Sequence, residues 1–126
     1  MRAHELDIGG MTDQEVLSRM LDDDELFAEM ALHISHNNKI IPFVYNDPQR
    51  MLAAACAQSY KETGRVRMIV LKARQMGLST AIQGRGFKRV ITTSEYKMDV
   101  ISHDDASAEH ILGMSKLFHQ KLPIQL

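Results

Sequence analysis

Apolar positions recur along the chain in helical stripes, broken by two short apolar runs that read as strands. Val16, Leu17, Met20 and Leu21 fall on one face of a first helix. Thr12-Asp13-Gln14-Glu15 before it has the form of a capping box, and Met11 and Val16 are spaced for the accompanying hydrophobic staple. Residues 1–11 read as a loose lead with Gly9-Gly10 as a hinge. Leu26, Phe27, Met30 and Ile34 give a second stripe, which predicts a helix ending at Asn37-Asn38. Asp22-Asp23-Asp24-Glu25 would cap that helix and offset its dipole, a better reading than a metal site. Ile40 to Tyr45 is extended, and Pro42 confines it to an edge or a linker.

Asp47-Pro48 predicts a helix start, with Asp47 as cap. Met51, Leu52, Ala55, Cys56 and Tyr60 carry the helix to Gly64. Arg65 to Leu71 then reads as a core strand whose apolar end suits burial on both faces of a parallel sheet. Ser79 opens a helix through Val90, in which Gly84 and Gly86 would permit close backbone packing on the sheet. Arg85, Lys88 and Arg89 form a basic patch, read first as a solvated face and second as a DNA contact. Met98 to His103 is a second short strand, and Asp104-Asp105 cap a helix from Ala106 towards His119. Strand, helix, strand, helix is the alternation of an α/β domain.

Between the first strand and its helix lies Lys72-Ala73-Arg74-Gln75-Met76-Gly77-Leu78-Ser79-Thr80. Strand, tight loop and helix is the setting of a phosphate-binding loop, in which backbone N–H groups and a helix N-terminus face an anion. The pattern G-x-x-x-x-G-K-[ST] is met only in part. Gly77 stands at the second glycine and Ser79 at the Mg²⁺-binding hydroxyl, but Lys72 replaces the first glycine and Leu78 the usual lysine. A glycine for the turn, a hydroxyl for the metal and a cation for the β/γ-phosphates are all present, with the cation moved to the front of the loop.

This stretch resembles the Walker A loop of the terminase large subunits, the DNA-packaging ATPases of tailed bacteriophages. Arg74-Gln75 and Gly77 match the broad family, and Lys72 with Leu78 match the subset whose lysine stands at the head of the loop. The resemblance implies a partial P-loop NTPase domain of α/β class, a parallel sheet fragment with flanking helices, preceded by N-terminal helices. Residues 1–38 would be the N-terminal helical segment. Residues 39–126 would be the front part of the ATPase domain, truncated before Walker B and without the nuclease domain. It implies ATP and Mg²⁺ as cofactors. Backbone N–H groups of Arg74 to Ser79 would wrap the phosphates, Thr80 would contact phosphate from the helix start, Ser79 would hold Mg²⁺, Lys72 would neutralise β/γ charge, and Arg74 would stabilise charge that develops during transfer. Gln75 would order the loop, and Ala73 and Met76 would complete its nucleotide-binding residues. Gln49, in Pro42-Phe43-x-x-Asn46-x-x-Gln49, would read adenine, with Phe43 or Tyr45 beside the base. The partners implied are double-stranded DNA, the small terminase subunit, the portal protein and further copies in a homo-oligomeric ring, in the cytoplasm of the bacterial host. The intact enzyme would package viral DNA into proheads and cleave concatemers. This chain, a gene fragment or prophage remnant, would bind nucleotide weakly at most and turn none over. The alternatives are a fragment of another P-loop motor ATPase and a non-enzymatic small α/β adaptor.

Composition changes this picture little. The 126 residues suffice for one modest domain, and 44% hydrophobic with 25% charged residues is ordinary for a globular chain. A formal charge of -1 gives no global basic field, although a ring can grip DNA through a few loops. The one cysteine, Cys56, reads as a small buried apolar residue. No apolar run reaches a membrane span, so no membrane partner is expected. His33 and His36 are three apart without a further ligand nearby, and read as surface residues. Ser102-His103-Asp104 is adjacent in sequence and so lacks the geometry of a hydrolytic triad.

Overall fold

Helix covers 58% of residues 9–123, the part of the chain described by the computed structural model. Residues 1–8, on which most of the lead expected at 1–11 falls, and residues 124–126 lie outside the described part. Among the described residues there are α1 (Asp13–Asp22), α2 (Asp24–Ala31), α3 (Asp47–Thr63), α4 (Leu78–Thr92) and α5 (Asp105–Lys121). The sheet is a two-stranded antiparallel hairpin of β1 (His33–His36) and β2 (Lys39–Pro42). The expected parallel sheet fragment of a partial P-loop NTPase domain is therefore not the architecture.

The reason lies in backbone pairing. Residues 66–73 and 97–102 run without regular secondary structure and find no strand to pair with among the described residues. Met68 is 42% exposed, with its sulfur 3.5 Å from that of Cys56 on α3. Its neighbours turn outward: Ile69 and Leu71 are 102% and 100% exposed, and Ile101 is 94% exposed. The alternation of a strand is present, but a strand needs hydrogen-bonded neighbours as well as alternation.

The helix starts follow the sequence closely. Thr12 N donates to Glu15 Oε2 at 2.7 Å and Glu15 N donates to Thr12 Oγ1 at 3.2 Å, completing the capping box of α1. Of its stripe only Met20 is buried, while Leu17 and Leu21 are exposed. Asp23 caps α2 through Leu26 N, and Asp104 caps α5 through Ser107 N at 2.7 Å. These backbone bonds hold the Glu15 and Asp104 carboxyls below their ordinary values. A depressed folded value contributes stability at neutral pH that is lost as pH falls through it. First-turn amides of α1 and α5 should therefore lose exchange protection before those at the centre of α3 as the pH falls below the ordinary carboxylate range, and not in milder acid.

The second helix ends earlier than its stripe suggested. It stops at Ala31, and Leu32 is already extended. Asn37 and Asn38 have φ of 50° and 61° and make the two-residue turn of the hairpin, whose register runs from His33 opposite Pro42 to His36 opposite Lys39. Asparagine tolerates this left-handed pair, as such hairpin turns require. Asn37→Val should destabilise the protein by about 1–2 kcal/mol in urea titration, because a β-branched side chain resists positive φ. Asn38→Gly should be neutral or stabilising.

The core gathers α2, the hairpin exit, α4 and α5. Phe27, Phe43, Phe118, Leu26 and Leu32 are its largest fully buried side chains. Residues on both sides of position 38 belong to this one cluster. Gly84 lets α4 approach Leu32 and Phe43, where an added Cβ would lie 3.2 Å from Leu32 Cδ1. At Gly86 an added Cβ would run into Met98.

Ion pairs join the N-terminal helices to the rest. Asp24 binds Arg85, and also Lys88 Nζ at 2.7 Å; Lys88 further lies over the Phe27 ring. Glu25 binds Arg50 at 2.8 Å, and Arg50 reaches the Tyr45 carbonyl. Burial, then the nearby Asp24 and Glu25 carboxylates, push the Tyr45 phenol far up. Arg85 and Lys88 are thus internal counter-ions, and not the solvated or DNA-facing patch expected. Arg89 lies over the Tyr60 ring.

Candidate phosphate-binding site

An extended segment, a turn and a helix start meet at residues 72–80. The chain turns at Arg74 and Gln75, and α4 begins at Leu78. Gln75 and Gly77 both take left-handed conformations, with φ of 61° and 74°. Turns of this hand direct successive N–H groups to one side, the geometry of an anion nest. Gly77 is required twice. Its φ suits glycine, and an added Cβ would lie 2.6 Å from Gln49 Nε2.

Gly77 is also the N-cap of α4 and offers no side-chain cap. The first helical bond runs from Ala81 N to Gly77 O at 3.2 Å. The N–H groups of Leu78, Ser79 and Thr80 precede it and carry the positive end of the helix dipole. Ser79 is exposed and Thr80 half-buried. Leu78 is buried, which explains the apolar residue where the motif usually has lysine: a charged side chain there would be turned into the protein.

Lys72, Ala73, Arg74 and Gln75 are exposed, and Met76 is half-buried. Neither Lys72 nor Arg74 forms an ion pair among the described residues. Two cations therefore stand on the chain leading into an uncapped helix start. The larger cavities lie elsewhere. One of about 600 Å³ is lined by Cys56, Tyr60, Met68, Val70 and Met98, and another of about 460 Å³ lies between α4 and α5. The loop is a surface feature.

Gln49 meets the loop from α3. It is 4% exposed. Its Nε2 donates to Gly77 O at 2.8 Å, and its Oε1 accepts from Asn46 N at 2.8 Å. Asn46, and not Asp47, is the N-cap of α3; its Oδ1 accepts from Gln49 N and its Nδ2 donates to Met76 O at 3.2 Å. Asn46 was legible as a capping-box residue, since glutamine stands three positions on. Phe43 and Tyr45, expected beside a base, are buried and stack within the core instead.

The other candidates stay apart. Among the described residues no group of three or more His, Cys, Asp or Glu could hold a metal. His33 and His36 lie on β1, not on a helix, and His33 Nδ1 is buried without a hydrogen bond. His103 pairs with Asp104 at 3.0 Å on the surface, and Ser102 takes no part in that pair. No helix among the described residues is long and apolar enough to cross a membrane. No family model, curated protein or solved structure matches the chain.

Proposed function

We propose that the Lys72–Thr80 loop binds the phosphates of a nucleotide, and that the chain is the loop-bearing part of a terminase large subunit, the phage DNA-packaging ATPase that this stretch resembles. The observation carrying the reading is the turn at Gln75–Gly77 opening into α4 with uncapped N–H groups and, before it, two cations without an ion pair among the described residues. That set of donors suits a polyphosphate: backbone N–H groups and a helix dipole for the oxygens, and Lys72 for the β/γ charge. Arg74, inside the turn, is the second cation and would meet charge developing during transfer. Ser79 Oγ is the hydroxyl that would hold Mg²⁺, with the nucleotide's own oxygens and water filling the remaining positions. DNA, the small subunit, the portal and a ring of copies are the partners this reading carries with it.

Binding should appear as stabilisation. Mg-ATP at about a hundred times its dissociation constant adds about 2.7 kcal/mol and raises the melting temperature by several degrees. Lys72→Ala should melt as the parent does without ligand, because the side chain is exposed and unpaired, yet lose most of the nucleotide-dependent rise. An equal rise in both proteins, or none in the parent, would show that the loop is only a turn between an extended segment and a helix.

A further inference from the structure

The geometry points to Gln49 as a positioning residue that latches the exit of the phosphate-binding loop, and not as a reader of the base. This rests on the phosphate-binding reading above and specifies how that site is held. Each half of the Gln49 amide is already engaged within the protein. The donor holds Gly77 O, and the acceptor holds Asn46 N. With 4% of the residue exposed, no amide edge is presented to a purine. Gly77 O accepts at once from Gln49 Nε2 and from Ala81 N, so the first bond of α4 and the latch share one carbonyl.

Asn46 makes the second half of the latch. The side chains of Asn46 and Gln49 cap α3 reciprocally through their oxygens, and both turn their NH₂ groups to the loop, at Met76 O and Gly77 O. One capping box therefore does two things: its oxygens start α3, and its nitrogens fix the last carbonyls before α4. Because the C=O and N–H of a trans peptide point in opposite directions, holding those carbonyls leaves the N–H groups that follow directed away from the Asn46 and Gln49 donors. A loop held in this way keeps its left-handed turns without a ligand, which lowers the ordering cost of binding.

Because the capping and latching atoms differ, they can be separated. Gln49→Glu keeps an oxygen for Asn46 N, and glutamate is a common capping-box residue at this position. It removes the NH₂ donor and sets a carboxylate against Gly77 O. Gln49→Ala removes both functions. Amide hydrogen exchange on the full chain without nucleotide reads the latch directly. In Gln49→Glu the first turn of α3 should exchange as in the parent, while amides of residues 76–81 exchange about tenfold faster. In Gln49→Ala both regions should speed up. Thermal shift with Mg-ATP and Mg-GTP reads the site. The parent should bind both alike, and Gln49→Glu should weaken both by a similar factor.

Unchanged exchange at residues 76–81 in Gln49→Glu would overturn the latch. So would a parent that prefers ATP by about tenfold and loses that preference in Gln49→Glu, since Gln49 would then be reading adenine. A parent that binds neither nucleotide would instead overturn the phosphate-binding reading, and the exchange result alone would decide the latch.

Discussion

Phe118→Ala should cost about 3–5 kcal/mol, the range for truncating a fully buried aromatic ring. Phe118 is 0% exposed and lies where α5 meets the rest of the molecule. Its ring stacks on Phe43 at 6.4 Å between centroids and tilts against Phe87 of α4 at 5.6 Å. Removing it opens a cavity between the residue after the hairpin and two helices, which cannot all collapse together. A domain of this size is stable by only about 5–15 kcal/mol, so the loss is a large share of the total. Urea titration should show the midpoint fall steeply. Phe118→Leu, which keeps most of the volume, should recover most of the loss. A midpoint unchanged by Phe118→Ala would mean that α5 does not close the core.

Asp24→Ala should cost a similar amount, about 3–5 kcal/mol, because it strands buried positive charge. Asp24 accepts from both Arg85 and Lys88, and the Lys88 side chain is only 8% exposed. Without the carboxylate, Lys88 keeps the Phe27 ring face but no counter-ion. Replacing Asp24 and its more buried partner together, as Asp24→Leu with Lys88→Met, should be milder than Asp24→Ala alone, since apolar groups of similar volume replace the buried pair while Arg85, whose side chain is 22% exposed, can turn to water. Equal losses in the single and double variants would show that packing, and not charge, holds α2 to α4 here. Because α4 starts at the candidate loop, loosening α2 should also weaken nucleotide binding at a distance.

Much of the local structure was legible in the residues, and the long-range structure was not. Thr12 with Glu15, and Asp104, mark their helix starts by chemistry confined to a single turn. Gly64 marks the end of α3 because it sits at φ 71°. Asn37-Asn38 also carried its signal, a left-handed pair, but the apolar spacing from Leu26 to Ile34 masked it by continuing a helical stripe into a strand. The segments around Ile69 and Ile101 have the composition of buried strands, yet composition cannot supply a hydrogen-bonded neighbour. Arg85 and Lys88 looked like a solvated patch because their carboxylate lies 61 and 64 residues away in sequence. At the candidate site, Gly77 and the helix start could be read from the sequence, whereas the burial of Gln49 against the loop could not.

On the proposed function, the backbone from Met76 to Thr80 receives phosphate. The direct measurement is a titration of the isotopically labelled chain with Mg-ATP, followed residue by residue through backbone amide resonances. The largest shifts should fall on Gly77, Leu78, Ser79 and Thr80, saturate together, and vanish when Lys72 is alanine. Saturable shifts centred on another part of the molecule, or shifts at these amides that persist undiminished in Lys72→Ala, would contradict it.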